Sequence, residues 1–415
     1  MLKRILSVTL AVLMAALFGC SAVPEANSGV QNASYINKAG KPAPIKVYTS
    51  GEAASTDYEY DRLLTEANND FAIRMINASD KKMTGVFSPL SLQTALQMLV
   101  NGGDEETAKD LLDSVAPGMT KESVNKACAK LIAMLTATDG FTMNNAVIAN
   151  SANEVNREFA ETVGDYYKAS VGALDFSNPQ KATQQVNDWI AENTNGMIKN
   201  LLDELKPSTV MVLLNALTLK LDWKTPFTAM RETAEFNGSK GKEPVTMINV
   251  SSNFEYGSFD LGEMVLVPYK GGDYNMAVIL PAEGVTPSDA AAALIERLND
   301  CEPADVYLKM PKVDLNTKLD IIPMAYKLGI DSAINGLYTN LIANDSANVD
   351  TIVHGAALSV TEYGTMASAA TAIVATKGAF SPADKNVICD RPYAMVIYHI
   401  ETGTVLFVSI VNDIG

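Results

Sequence analysis

The sequence predicts an α+β fold, with helices concentrated early in the chain and strands late. Apolar residues three and four positions apart recur in the first half, whereas short apolar runs bounded by turn residues dominate the second half. Strands and helices do not alternate regularly, so a doubly wound parallel sheet is not expected. With 415 residues, 47% of them hydrophobic, the chain can bury a large core. We expect one domain over residues 60–415 with no internal boundary.

Three helices are predicted from their ends and their apolar stripes. In the second of them, Ser88 can cap the first turn and Pro89 fits the first helical position, while Asn101 and the glycines after it end the helix. The third begins after an Asn-Pro pair and ends at an Asn-Gly pair. The three helices cover residues 63–75, 89–101 and 179–195.

The strand predictions consist of one long strand and two hairpins. The long strand has few polar residues, which is typical of a strand covered on both faces. Each hairpin has a glycine-containing turn between two apolar runs. The predicted strands are residues 210–221, the hairpin of 264–267 with 275–280, and the hairpin of 393–400 with 405–411.

Charge and residue counts exclude several classes of function. The chain has 32 basic and 48 acidic residues, and its net charge of -16 would repel nucleic acid. With two histidines and four cysteines, and without a nucleophile-elbow, dinucleotide, phosphate-loop or zinc-protease motif, we expect no metal, no cofactor and no enzymatic activity. An unrelated exported hydrolase is the weakest alternative.

The N-terminus has the plan of an export signal. A basic start precedes an apolar run too short to span a bilayer, and the run ends in Leu17-Phe18-Gly19-Cys20. This ending resembles the lipobox of bacterial lipoproteins. The resemblance implies a lipoprotein signal peptide at 1–19, lipidation of Cys20, a tether over 20–59, and an extracytoplasmic cell-envelope location with the membrane contacted only through the lipid. If Cys20 is not lipidated, the protein is secreted.

Three cysteines remain after the lipidation site, an odd number without paired spacing. They allow at most one disulfide and are expected to be buried thiols. They are Cys128, Cys301 and Cys389.

An unusual segment lies between Glu362 and Lys377. From Thr365 to Thr376 it contains no charge, no proline and no glycine, and its first half consists mainly of small side chains. A strand that must enter an already formed sheet needs this composition, because alternate residues would be buried without burying a charge. The stretch from Lys377 to Asp384 is polar and turn-rich, so we expect it to be exposed.

Five separated motifs accompany this segment: Phe87–Ser91, Asn187–Trp189 with Thr194–Ile198, Leu214–Ala216 with Trp223–Phe227, Val267–Gly271, and Arg391–Tyr393. Together with residues 362–370 they resemble, in the same order, the motifs of inhibitory serpins over residues 60–415. The resemblance implies the serpin fold, in which helices pack around a large central sheet, further sheets flank it, and a reactive-centre loop, here residues 362–385, is exposed.

The resemblance also implies roles for individual residues. Three sets are implied: a hinge that inserts first, a hydrogen-bonded cluster over which the sheet opens, and a charge pair with a tryptophan at the top of the sheet. The hinge is Glu362, Gly364, Thr365, Ala367, Ser368, Ala369 and Ala370; the cluster is Ser88, Ser91, Asn215 and His354; the top of the sheet has Lys312, Glu362 and Trp223.

The function implied is suicide-substrate inhibition by a monomer. A serine protease attacks the loop, and the cleaved loop inserts into the sheet while it carries the acyl-enzyme along; cysteine proteases are secondary candidates. Counting from the hinge places the attacked bond at Lys377, Gly378 or Ala379. Lys377 would suit a trypsin-like protease, and the other two an elastase- or subtilisin-like one. The alternative is a non-inhibitory serpin-fold binding protein whose loop is cleaved without trapping.

Overall fold

The computed structural model describes residues 60–343, 345–349, 352–365 and 383–414, and the backbone of two short strands before residue 60. The helices of these residues are Arg62–Ala78 (α1), Pro89–Val100 (α2), Glu105–Val115 (α3), Lys121–Leu135 (α4), Arg157–Tyr167 (α5), Pro179–Asn193 (α6), Pro287–Leu294 (α7), Ala325–Leu328 (α8) and Ser332–Asn335 (α9).

The strands fall mainly in the second half of the chain. They are Gln31–Tyr35 (β1), Ala43–Val47 (β2), Gly85–Phe87 (β3), Phe141–Asn150 (β4), Ala169–Leu174 (β5), Met211–Leu219 (β6), Leu221–Asp222 (β7), Thr228–Ala229 (β8), Ala234–Gly238 (β9), Gly241–Val245 (β10), Met247–Phe259 (β11), Gly262–Pro268 (β12), Tyr274–Pro281 (β13), Glu302–Pro311 (β14), Val313–Asp320 (β15), Val353–Val360 (β16), Gly364–Thr365 (β17), Lys385–Ile388 (β18), Tyr393–His399 (β19) and Val405–Val411 (β20).

The three predicted helices are present, and their ends follow the predicted capping. The Ser88 hydroxyl accepts from the backbone N–H of Ser91 at the start of α2, and Asn178 caps α6 in the same way. Asn195 and Gly196, with φ of 51° and 77°, have the left-handed conformation that ends a helix. The sequence patterns did not place α3, α4 and α5.

The largest sheet contains both predicted hairpins. Its strand order is β18-β14-β11-β12-β13-β19-β20-β3, with β8 beside β11. Helices α1, α2 and α7 pack against this sheet around β13, β19 and β20. The strands β13, β19 and β20 are buried along their whole length, which explains why they are almost continuously apolar in sequence.

Two further sheets lie side by side and form the part of the fold that positions the candidate site. Their orders are β5-β4-β6 and β15-β16-β17-β7. Only Lys220 separates β6 from β7, so the two sheets are joined at one end through β7 and β17. Helix α2 packs against β6, and α6 also contacts β6, above a second apolar core that includes Trp189.

Two observations concern the predicted tether and the cysteines. β1 and β2 pair in an antiparallel hairpin within residues 20–59, the predicted tether. Cys128, Cys301 and Cys389 form no disulfide; Cys128 and Cys389 are buried, and burial raises the pKa of the Cys128 thiol to about 12. Among the helices of the described residues, none is long and apolar enough to cross a membrane.

Candidate functional site: the hinge and the gap in the sheet

The chain reverses direction directly after β16, in a tight segment over residues 361–365. This segment contains the first residues of the predicted hinge, and from here on we call residues 361–365 the hinge. The backbone N–H and the hydroxyl of Thr361 both donate to the carbonyl oxygen of Gly364, at 3.0 and 3.2 Å. These bonds close the turn. They direct Gly364 and Thr365 back alongside the strand that has just ended.

Gly364 and Thr365 form the short strand β17, which has a partner on each side. Thr365 lies opposite Val360 of β16 and opposite Leu221 of β7, both antiparallel. The side chain of Thr365 is fully buried, and its hydroxyl shares a hydrogen bond of 2.5 Å with the Tyr269 hydroxyl. The first two residues of the predicted loop insertion are therefore already paired within the sheet.

Glu362 and Lys312 form an ion pair next to the hinge, with 2.5 Å between Oε2 and Nζ. Burial acts to raise the pKa of Glu362, but the hydrogen bond and charge of Lys312 outweigh burial, and the pKa lies below its usual value. The carboxylate is thus ionised at neutral pH. The backbone carbonyl of Glu362 accepts from the N–H of Phe227 at 2.9 Å, which ties the same residue to the neighbouring loop.

Trp223 contacts the hinge through both its backbone and its side chain. Its indole Nε1 donates to the carbonyl of Thr361 at 2.9 Å, and its backbone N–H donates to that of Tyr363 at 2.8 Å. The indole also stacks on Tyr269, with 4.5 Å between ring centroids. The hinge is therefore held by hydrogen bonds, an ion pair and an aromatic pair at once.

Beyond the hinge, β6 and β16 face each other without hydrogen bonds between them, although both strands are fully described. We call this space the gap. It contains a cavity of about 110 Å³ between α2 on one face and the segment after α6 on the other. Its walls are mainly apolar, and its polar side chains include Ser91, Asn215 and His354. The large central sheet predicted from the sequence is thus split into two sheets along this gap.

Ser88, Ser91 and His354 are joined by hydrogen bonds at the start of α2. The His354 Nε2 accepts from the backbone N–H of Ser88 at 3.0 Å, and the Ser88 hydroxyl donates to the carbonyl of Leu406 at 2.6 Å. Complete burial lowers the pKa of His354 to about 4, so the imidazole is neutral at physiological pH.

Asn215 lies at the same cavity but bonds elsewhere. Its Nδ2 donates to Oδ1 of Asn145 on the neighbouring strand β4 at 2.6 Å, and its own Oδ1 is buried without a partner. Leaving a buried acceptor unpaired costs about 1–3 kcal/mol. Of the expected cluster of four, Ser91, Asn215 and His354 line this cavity. Hydrogen bonds connect only Ser88, Ser91 and His354, because the gap separates Asn215 from His354.

Several predicted site residues lie outside the described residues. They are Cys20, Ala367, Ser368, Ala369, Ala370, Lys377, Gly378 and Ala379. The structure also brings forward two residues to which sequence reasoning gave no role, Tyr269 and Asn145. Asn145 could have been noticed as a polar residue that enters an apolar strand, and Tyr269 lies within one of the serpin-like motifs.

A family model described as "Serpin (serine protease inhibitor)" matches residues 66–414. The chain belongs to the serpin family. Membership supports a protease-inhibitor role in general, since serpins are mostly inhibitors that act on target proteases rather than enzymes. The relationship predicted from the separated motifs is confirmed.

Curated relatives and solved structures agree with this assignment. Iripin-1 of Ixodes ricinus is 30% identical over 85% of this serpin and 95% of its own length. Human neuroserpin is 26% identical over 83% of this serpin and 90% of its own length. The native-state structure of the thermophilic serpin tengpin superposes with a TM-score of 0.78 at 23% identity, covering 88% of this chain and 97% of tengpin. The structure of thyroxine-binding globulin in complex with thyroxine superposes with a TM-score of 0.74 at 23% identity, covering 85% of this chain and 99% of the globulin. These structures show that the fold is the serpin fold, as the sequence predicted.

Proposed function

We propose that this serpin is a suicide-substrate inhibitor of serine proteases. The protease serine attacks a peptide carbonyl among residues 377–379, an ester forms, and the peptide C–N bond breaks as the new amine takes a proton. The freed loop then enters the gap as a strand and carries the acyl-enzyme with it. Cysteine proteases, which form an equivalent thioester, fall within the same proposal.

The pairing of β17 on both edges carries this proposal. Insertion has to begin at the hinge end, and there Thr365 already lies between β16 and β7. Directly beyond it, the two strand edges that an inserted strand would pair with are unpaired. Unpaired strand edges favour the addition of a strand, because each backbone N–H and carbonyl on them lacks a ladder partner.

The composition of the following residues supports insertion in the same register. Side chains alternate between the two faces of a strand, so 367, 369, 371, 373 and 375 would lie on the buried face with Thr365. All five are alanine, threonine or isoleucine. None would place a charge in the core, and the first two are small.

The test is to mix the chain lacking its predicted signal and Cys20, residues 21–415, with trypsin, an elastase, subtilisin and papain in separate reactions. We expect an SDS-stable complex near the summed mass with at least one serine protease. Mass spectrometry of the cleaved loop would identify the attacked bond. Clean cleavage without a complex in every reaction, and without a rise in melting temperature after cleavage, would contradict the proposal and favour a non-inhibitory binding protein.

A matched pair of loop variants separates insertion from cleavage. Ala369→Asp would bury a carboxylate in the core on insertion, whereas Ser368→Asp would place one on the outer face. We expect Ala369→Asp to be cleaved as a substrate without trapping, and Ser368→Asp to retain complex formation. Equal trapping by both variants would mean that the loop does not insert in this register.

The attacked bond is tested with a single variant, Lys377→Ala. If trypsin is the trapped protease, Lys377→Ala should abolish the complex with trypsin and leave that with subtilisin, since an acidic specificity pocket requires the lysine. If the bond follows Gly378 or Ala379, Lys377→Ala should leave the elastase or subtilisin complex unchanged.

We also propose that the protein is a cell-envelope lipoprotein anchored through Cys20. Support for the anchor comes from the sequence of the first 20 residues alone. In bacteria that express the full chain with a labelled fatty acid, the protein should take up label and remain with the membrane fraction. Cys20→Ser should lose the label, and the same amount of label on this variant would disprove lipidation at Cys20.

A further inference from the structure

Strand β5 has a free edge, on the side of its sheet that is farthest from the gap. It pairs in parallel with β4, and in the part of the chain that the structure describes its opposite edge has no ladder partner. In a strand, every second residue directs its backbone N–H and carbonyl to the same edge. These groups form a row with which another extended segment can pair.

The sequence of β5 lacks the features that protect free strand edges. Such edges are usually guarded by a lysine, a proline or a bulge. Residues 169–174 contain no charge and no proline, and their register with β4 is uninterrupted. Gly172 in the middle of the strand is buried, and a glycine in a strand often marks a place where another backbone approaches closely. β5 is thus an edge of the kind that recruits strands from other chains.

The hairpin of β1 and β2 lies beside this edge. β2 lies alongside β5, although the two strands belong to separate sheets and the ladder of β2 is with β1. A two-stranded hairpin alone is at best marginally stable in water. The hairpin therefore needs a surface to pack against, and the edge of β5 supplies it.

The hairpin presents a less adhesive edge than the one that it covers. β2 contains Pro44 and Lys46, two residue types that disfavour pairing with a further chain. The outer strand, β1, has the sequence Gln-Asn-Ala-Ser-Tyr, and asparagine is among the residues that are depleted in strands. Docking of the hairpin thus replaces an apolar edge with a polar one.

We propose that the β1–β2 hairpin is an intramolecular guard of the β5 edge, and that this edge accepts an extended strand from a second copy of the chain when the hairpin is displaced. The occupant in the resting protein is β2, residues 43–47. The proposal goes beyond protease inhibition, because β5 and β6 are opposite edges of their sheet and only β6 borders the gap.

The test compares the chain of residues 21–415 with a linker variant, in which a glycine–serine linker of equal length replaces residues 31–47. Light scattering after size-exclusion chromatography gives the molar mass, and thermal melts show that both proteins are folded. We expect the parent to be monomeric and the linker variant to self-associate about tenfold more tightly or more. A linker variant as monomeric as the parent would overturn the proposal. If the linker variant does not fold, Ile45→Pro disrupts β2 within the parent chain and must give the same association.

A synthetic peptide tests whether the guard acts by docking. The peptide of residues 31–47, added to the linker variant, should return it to a monomer, and a scrambled peptide of the same composition should not. Equal effects of the two peptides would mean that no specific docking takes place, and would overturn the role of the hairpin.

Two exposed serines locate the surface. Ser170→Lys places a charge on β5, whereas Ser208→Lys adds the same charge in a turn outside any strand. In the linker variant, we expect Ser170→Lys to restore the monomer and Ser208→Lys to leave the association unchanged. Equal effects of the two lysines would mean that another surface or net charge is responsible, and would remove β5 from the proposal.

Association through the reactive-centre loop can be told apart from association through β5. Ala369→Asp, which is designed to keep the loop out of the gap, should not change the association of the linker variant. Loss of association in this combined variant would mean that the loop links the copies, and would overturn the proposal. No step requires a protease, so failure of this proposal is distinct from failure of the proposed function.

Discussion

Gly364 lies so close to the backbone of Leu221 that a Cβ on it would come within 2.1 Å of the Leu221 carbonyl oxygen and 2.8 Å of the Asp222 Cα. Both of these atoms belong to the backbone of β7 and cannot turn aside as a flexible side chain could. Only glycine permits the pairing of β17 with β7. The pairing of β17 with β7, from which the proposed insertion would start, therefore depends on a single residue without a side chain.

Under the proposed mechanism, Gly364→Ala should shift the protein from trapping towards substrate behaviour, because the methyl group disrupts the β17–β7 pairing from which insertion starts. If the methyl group raises the barrier to insertion by about 2 kcal/mol, insertion slows by about 30-fold relative to deacylation. The measurement is the number of inhibitor molecules consumed for each protease trapped, with Ser359→Ala on the half-buried face of β16 as the control. An unchanged ratio for Gly364→Ala would mean that β17 does not pair with β7 during insertion.

The Tyr269–Thr365 hydrogen bond should stabilise the resting hinge. Tyr269→Phe leaves the buried Thr365 hydroxyl without a partner, and Thr365→Val leaves the buried Tyr269 hydroxyl without one. Each variant should therefore lower the free energy of unfolding by about 1–2 kcal/mol. For a domain of this size, each kcal/mol of lost unfolding free energy lowers the melting temperature by about 1.5 °C. The double variant should lose less than the sum of the two singles.

The control for this pair is Tyr326→Phe, since the Tyr326 side chain is 85% exposed. Its melting temperature should not change. Strict additivity of Tyr269→Phe and Thr365→Val would contradict a direct interaction between the two hydroxyl groups.

Local sequence signals predicted the helix ends and hairpins, because each of these features depends on residues that are neighbours in the sequence. The Ser88 cap, the Asn178 cap and the hairpin turns each act over about four residues, and each is found in the structure. The split of the central sheet could not be predicted in this way. Whether β6 pairs with β16 depends on strands about 140 residues apart in sequence, and no local propensity reports on that distance.

The candidate site shows the same limit at the level of single residues. The resemblance to serpins identified Lys312 and Glu362, and the structure places them in an ion pair. The same resemblance grouped Asn215 with His354, whereas the Asn215 amide bonds to Asn145. The choice between these partners depends on how far apart the strands stand, and this distance is a property of the whole sheet.

The Lys312–Glu362 ion pair should contribute modestly to stability. The side chains are 34% and 17% exposed, so solvent screens the attraction in part, and we expect Glu362→Gln to lower the free energy of unfolding by about 1 kcal/mol. A double-variant cycle with Lys312→Met should show coupling that weakens at high salt. The control is Glu235→Gln, because its pair with Lys242 is about two-thirds exposed. Equal losses of unfolding free energy in Glu362→Gln and Glu235→Gln would mean that the Lys312–Glu362 pair stabilises the hinge no more than an exposed surface pair does.

His354 should make the protein less stable in mild acid. Its pKa in the folded protein is about 4, against 6.5 for an unperturbed histidine. Between these values the unfolded chain binds a proton that the folded chain does not, so stability falls as the pH falls from 6.5 towards 4. The loss attributable to this residue reaches about 2 kcal/mol at pH 5.

The comparison that isolates this effect uses His354→Gln. The glutamine side-chain oxygen can accept from the Ser88 N–H but does not titrate, whereas His399 and the carboxylates titrate in both proteins and cancel. Between pH 7.5 and pH 5, the melting temperature of the parent protein should therefore fall by about 3 °C more than that of the variant. Equal falls would mean that the His354 ring reaches water and is protonated in the folded state, which would contradict its burial as a neutral imidazole.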